Sequence, residues 1–314
     1  MARDLGYAAL ALLATTAYYA AFLVFRAAGA RMPPLRGSRP FHVARHMLTS
    51  PVWLVGGVVL FVGLAYEVVA FSAVSLAVAQ PVFALGLVPL VGYAVLVLGE
   101  RLSAREWTSV ALFMLATVLI GLSADGAGRP AADATLVGTL RDPWLMLGVM
   151  APAIVVAGLV WLVGDRRAGG RHARRLAGVA YGIGAGACAG LAEAGIRGMS
   201  IVYDGTRSVQ AVLESPYPYL TVGMAAIALG QLQVALQRCR VAVVATVLTV
   251  IGRTYLVVSS MVLFGDSWPR ETVPFALRTG GFALALAALA AFPRYERDAD
   301  RGVEGSGSRV ASPG

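Results

Sequence analysis

The sequence predicts an all-α, polytopic membrane bundle of about nine helices. Three observations carry that prediction: the composition, the length of the apolar runs and the distribution of arginine. Of the 314 residues, 58% are hydrophobic and 14% charged, and the mean hydropathy is +0.73. An ordinary soluble domain is about 25% charged. A chain this apolar cannot cover its surface with polar side chains, which excludes a cytosolic enzyme, a disordered chain and a secreted disulfide scaffold.

A hydrocarbon core of about 30 Å takes about 20 apolar residues per helix. Runs of that kind, bounded by charge, Gly or Pro, occupy 5–25, 51–71, 75–98, 106–123, 143–163, 176–202, 216–237, 241–264 and 273–291. The first is long enough to span, and it lacks the basic start and small-residue cleavage pattern of a secretory leader. It therefore reads as a helix. The runs are continuous rather than alternating, which excludes a β-barrel. Cys188 and Cys239 lie in or at the edge of apolar segments and read as packing residues.

All 26 basic residues are arginines, against 17 acidic residues. Without lysine there is no Schiff-base chemistry, no P-loop and no Ser-Lys dyad. The arginines sit between apolar blocks, so they read as topology signals and not as a nucleic-acid face. Eighteen, among them Arg26, Arg31, Arg45, Arg166, Arg238 and Arg240, fall in one alternate set of connections; six fall in the other and two lie inside spans. Because arginine resists translocation, the N-terminus is expected outside and the C-terminus in the cytoplasm, across the plasma membrane. The polar, Gly- and Ser-rich stretch 293–314 is expected to be a disordered cytoplasmic tail.

An offset of 166 residues lays spans two, three and four onto seven, eight and nine without a gap. Val68 meets Val234, Ala79 meets Ala245, Gly86 meets Gly252, Leu90 meets Leu256 and Gly99 meets Gly265, with Glu100 facing Asp266. The arginine distribution puts the Glu100 end inside and the Asp266 end outside. Two similar halves of opposite orientation are a feature of secondary transporters, in which the repeats rock about a site near the bilayer midplane. The expected division is an N-terminal half at 1–142 with four helices, a C-terminal half at 143–292 with five, and the tail.

Two of these segments carry recognisable motifs. Span three contains Ala79-Gln80-Pro81-Val82 and ends Leu98-Gly99-Glu100-Arg101-Leu102, and its repeat partner ends Leu263-Phe264-Gly265-Asp266. The pattern resembles the drug/metabolite transporter (DMT) superfamily, including EamA-like exporters, whose helices finish in an apolar run followed by Gly-Glu-Arg-Leu. The four-plus-five layout and the spacing from Pro81 to Glu100 are similar to NIPA-like magnesium transporters. The likeness covers 51–291, about three quarters of the chain. It implies a transporter working by alternating access. On that register Leu64 stands where these relatives carry an acidic residue and Glu67 where they carry Asn, a departure that turns the expected substrate away from magnesium.

Four ionisable residues fall inside spans: Glu67, Glu193, Arg197 and Arg253. Each costs about 2.5–3.5 kcal/mol at mid-membrane if unpaired. Glu67 and Glu193 lie at similar depth with Arg253 slightly deeper, so a charge cluster is expected. Gly178, Gly182, Gly186 and Gly190 form a small-residue ridge, and Glu193 and Arg197 each lie seven residues past a ridge glycine, on the packed face. Static alternatives are a Glu193–Arg197 pair along one helix and a Glu67–Arg253 pair between helices. In the functional alternative, Glu67 or Glu193 accepts a proton or cation while Arg253 or Arg197 anchors an anionic group. Gln80, Gln231 and Gln233 are further candidates for the substrate path, with interhelical hydrogen bonding as the alternative.

Glu100, Arg101 and Asp266 are expected to make fold-stabilising contacts at the water interface. His42 and His46 have helical metal spacing but no third ligand, so no metal is expected there. Tyr18, Tyr19, Trp53, Trp107, Trp144 and Tyr219 are expected as interface aromatics. No nucleotide, protease or other enzyme motif appears, so neither a cofactor nor catalysis is expected. The sequence-based function is secondary transport of a small polar or amphipathic metabolite, the expected partners being that solute, protons and lipid, with room for a homodimer. Magnesium-type cation transport and a non-transporting accessory protein are the alternatives.

Overall fold

A computed structural model of the chain describes residues 2–36, 39–73, 87–97, 99–100, 102, 104–123, 143–164, 171–264 and 268–288. These residues are helical apart from short connections. The helices are α1 (Ala2–Arg31), α2 (Pro40–Thr49), α3 (Pro51–Ala73), α4 (Leu87–Leu96), α5 (Ala104–Leu122), α6 (Pro143–Gly164), α7 (Arg171–Thr206), α8 (Val209–Glu214), α9 (Tyr217–Arg238), α10 (Val241–Phe264) and α11 (Thr272–Ala288). Over its described residues, each apolar run in the sequence coincides with a helix; 75–86 and 289–291 lie outside the described residues. Gln80, Pro81, Asp266 and the tail 293–314 lie outside the described residues.

Among the described residues, five helices are long and apolar enough to cross a membrane. A sixth crossing is α3 when it is taken with α2, from which it departs at 88°. Glu106–Leu122 and Thr272–Ala288 are shorter apolar helices. The bend between α2 and α3 follows from Pro51, which holds the preceding Ser50 in an extended conformation. The Ser50 hydroxyl then accepts the Trp53 N–H at 3.3 Å and so caps α3.

The longest helix, α7, is the hub: α6, α9 and α10 all pack on it, while α1 packs chiefly against α3. The glycine ridge on α7 explains the closeness of α10. A Cβ placed on Gly190 would stand 2.2 Å from the Gly252 carbonyl oxygen, and one on Gly186 would stand 2.8 Å from the Leu248 carbonyl. A Cβ on Gly178 would meet the Cys239 sulfur at 2.4 Å. The two backbones therefore touch, and side chains one turn further along α7 are carried straight onto α10. Gly63 does the same for α3 against α1, where its Cβ would meet the Ala14 carbonyl at 3.1 Å.

Three glutamines on α9 stitch the bundle. Gln231 donates to the Ala157 carbonyl of α6, Gln233 to the Phe25 carbonyl and Gln237 to the Gly29 carbonyl of α1. Gly184 and Gly29 leave room for them, since a Cβ there would lie 2.0 Å from Gln231 Oε1 and 2.6 Å from Gln233 Nε2.

Substituting Gly190→Ala should force α7 and α10 apart. Overpacking of this kind costs about 1–3 kcal/mol. Thermal unfolding of the detergent-solubilised protein should register it as a lowered midpoint, whereas Gly92→Ala, with nothing within 4 Å of the added methyl group, should change it little.

Candidate functional site

The contact between Gly190 and Gly252 sets up the centre of the molecule. Glu193 lies three residues past Gly190 and Arg253 directly follows Gly252, so the close approach brings the two side chains together. Arg253 Nη1 donates to Glu193 Oε2 at 2.7 Å. The next turn of the same face carries Arg197, whose guanidinium lies 5.1 Å over the Phe264 ring of α10. The ridge face thus meets α10 along its whole length, as its spacing predicts.

Glu67 is fully buried. The Tyr18 hydroxyl of α1 donates to its Oε2. Its Oε1 has no hydrogen-bond partner among the described residues. Gly63, one turn earlier on α3, allows the approach of α1 that delivers Tyr18. Glu67 interacts electrostatically with both Glu193 and Arg253. The cluster therefore joins two carboxylates and one guanidinium from three helices, with Arg197 further along at the Phe264 ring. If all three groups are ionised, these three side chains together carry one net negative charge.

The pair opens onto a cavity of about 140 Å³ lined by α1, α3, α7, α9 and α10. It lies at mid-depth, since it takes Thr15, Tyr18 and Phe22 from the span Leu12–Arg31 and Leu248 to Arg253 from Val241–Phe264. Most of the wall is aliphatic or aromatic, and Glu193 and Arg253 are its ionisable acid–base pair. Leu64 also lies on this wall, while Glu67 sits behind Tyr18. Such a cavity can hold a small solute that buries apolar surface while a charged end meets the ion pair.

The sequence-derived candidates separate accordingly. Glu193 and Arg253 line the cavity and Glu67 stands one layer behind, whereas Arg197 and Gln233 are engaged elsewhere with Phe264 and Phe25. Gln80 is outside the described residues. Among the alternatives raised by spacing, the structure places Glu193 against Arg253, between helices, and gives Glu67 the Tyr18 hydroxyl. Tyr18 and Tyr19, expected as interface aromatics, are cavity residues. Trp107, Trp144 and Tyr219 are exposed on the apolar exterior in keeping with an interfacial role. Among the described residues, no group of three His, Cys, Asp or Glu could hold a metal ion. Tyr18 was missed because nothing in its local pattern distinguishes a helix-end tyrosine from a hydroxyl donor to another helix.

The bundle and its buried charges can now be set beside known proteins. Residues 8–295 match the family model described as Magnesium transporter NIPA. The chain belongs to the NIPA family. That family lies within the DMT/EamA-like superfamily, so this NIPA-family member is a multi-pass membrane transporter. No curated protein and no solved structure matches the chain significantly. The match extends beyond the segment 51–291 that carries the recognisable motifs and takes in α1, which supplies Tyr18 and much of the cavity wall.

Removing one member of the Glu193–Arg253 pair leaves a charge in a low-dielectric site. For fully buried pairs the loss is about 3–5 kcal/mol. Both side chains here retain some exposure to the cavity, so Glu193→Gln or Arg253→Gln alone should cost less than that. The double substitution should be less destabilising than the sum of the singles in thermal unfolding, because it leaves no unpaired charge.

Proposed function

We propose that this protein is a secondary transporter that moves a small polar or amphipathic solute through the central cavity, exporting it in exchange for protons. The observation that carries the reading is an ion pair placed on an otherwise largely apolar cavity wall at mid-membrane. A pair with a purely structural role needs no open space beside it. This one faces a space that a solute can enter. Arg253 is the anchor for a carboxylate or phosphate, since a guanidinium binds such groups bidentately. Glu193, released as the solute takes its partner, gains the option of binding a positive charge. Glu67, with one oxygen unpartnered among the described residues and a second carboxylate in the same cluster, is the site at which a proton is taken up and released.

In this reading the repeats at 51–123 and 216–291 rock about the cavity, the arginine-rich ends of the helices face the cytoplasm, and the membrane is the plasma membrane. The gradient of protons across that membrane drives export. The N-terminal half is 1–142 and the C-terminal half 143–292.

The second reading is magnesium transport, favoured by the description of the matching family. Magnesium requires close octahedral coordination by oxygen and gives up its waters reluctantly. The cluster offers it two carboxylates, but Glu193 is bonded to Arg253, and the guanidinium repels a dication. Leu64, on the wall, adds no oxygen ligand.

Reconstitution into proteoliposomes separates the two. Solute-driven proton flux should appear with organic anions or zwitterions and be lost in Glu193→Gln, Arg253→Gln and Glu67→Gln, while Glu67→Gln alone keeps uncoupled solute exchange. Proton-coupled flux that survived in both Glu67→Gln and Glu193→Gln would remove the proposal. Magnesium flux with no response to any organic solute would establish the second reading in its place.

A further inference from the structure

The Gly99-Glu100 motif is the part of the sequence that the cavity does not use. Its geometry is specific. Gly99 is at φ +66°, a left-handed conformation that glycine adopts without strain, and it turns the chain sharply after α4. The Glu100 N–H reaches back to the Ala94 carbonyl at 2.9 Å, which fixes the turn. The side chain is then presented to a different helix. Glu100 Oε1 accepts the Val241 N–H at 2.8 Å and Oε2 accepts the Ala242 N–H at 3.2 Å. One carboxylate thus caps the N-terminus of α10, where unpaired N–H groups and the helix dipole both favour an anion.

The joint between α9 and α10, residues 237–242, is gripped from the N-terminal helices at several further points. Arg240 pairs with Glu106 of α5, whose side chain is nearly buried. Arg26 of α1 donates to the Cys239 carbonyl at 3.3 Å. Gln237 donates to the Gly29 carbonyl at 2.9 Å and accepts the Leu35 N–H at 2.8 Å, and Arg238 donates to the Leu35 carbonyl at 3.4 Å. All of these contacts bridge α1, the connection that follows it, the turn after α4, or α5 to the α9–α10 joint at the arginine-rich end of the bundle. The cavity lies between the same two sets of helices, one layer deeper. Both α1 and α9–α10 line the cavity, and the contacts join them in a seam at its arginine-rich side.

We infer that Glu100 is a positioning residue for transport: it latches the α9–α10 joint to the N-terminal helices and holds the cavity closed toward the arginine-rich end. The chemistry of the seam suits a reversible gate. Nearly every contact is a hydrogen bond to a backbone group or a charge close to water, so opening exchanges protein partners for water at small net cost. A seam of interdigitated aliphatic side chains would have no such replacement. Glu100 holds two N–H groups at once through one carboxylate, which makes it, beside the Arg240–Glu106 pair, the firmest of these contacts. The inference rests on the cavity being the transport path and is independent of the solute.

The native cysteines provide the test. Cys239 lies in the joint and Cys188 in the core of α7, and both are buried thiols. In the full-length protein in lipid nanodiscs, the rate of modification of each by a polar maleimide can be followed by mass spectrometry. Glu100→Gln should raise the Cys239 rate about tenfold or more, the effect expected of losing a charge-assisted contact, and leave the Cys188 rate unchanged. Arg26→Gln, which removes a single hydrogen bond at the same joint, should raise it by a smaller factor and serves where Glu100→Gln does not fold. An unchanged Cys239 rate in the folded variants would overturn the inference. So would a parallel rise at Cys188, which marks general loosening. Because the readout needs no solute, it stands apart from the flux experiments on Glu67, Glu193 and Arg253.

Discussion

The bond between Arg253 and Glu193 is the constraint around which the bundle is organised. A guanidinium and a carboxylate at mid-membrane are each costly alone, and they are tolerable only if they meet at hydrogen-bond distance. That distance is a property of backbones. It requires α7 and α10 to approach until their main chains touch, which glycine at 190 permits, since a Cβ there would stand 2.2 Å from the Gly252 carbonyl oxygen. The aliphatic wall that completes the cavity then follows from the helices that α7 holds around itself. The same economy recurs on the other side of the cavity, where Gly63 lets α1 close on α3 so that Tyr18 reaches Glu67.

Polar side chains in this protein do two different jobs, and their partners tell them apart. The glutamines of α9 donate to backbone carbonyls on α1 and α6, which ties helices together without creating a site. Their partners are fixed groups of the main chain. Glu193 and Arg253, by contrast, hold each other, and both face a space. A bond between two mobile side chains beside a cavity can be exchanged for a bond to a solute, and that distinction is the physical basis for treating the pair, and not the glutamines, as the place where transport chemistry is done.

The layering of polarity along the bundle supports the same view. The centre is a cavity whose wall is mostly apolar. The arginine-rich end is a seam of hydrogen bonds in which Glu100, Glu106, Arg26, Arg238 and Arg240 all engage. A motif such as Gly99-Glu100 reads in isolation as a helix end at the water interface. In the folded chain its glycine aims the carboxylate at a helix more than a hundred residues away in sequence, so a local stop signal becomes a long-range contact.

What the sequence by itself determined was set by the solvent: an apolar composition, runs long enough to span, and arginines between them leave a helical membrane bundle as the stable arrangement, and the periodicity of Gly178 to Gly190 already located the packed face of α7. Membership of the transporter superfamily was legible from short motifs. The tertiary structure decided the partners. Spacing allowed Glu193 to pair with Arg197 and Arg253 with Glu67, because i,i+4 geometry and similar depth are satisfied by either choice. The outcome was decided by which backbones could touch. That contact depends on two glycines in different helices, Gly190 and Gly252, and no local pattern encodes it. Tyr18 shows the same limit: its hydroxyl gains a partner only through the crossing of α1 and α3, a relation that exists in space and not along the chain.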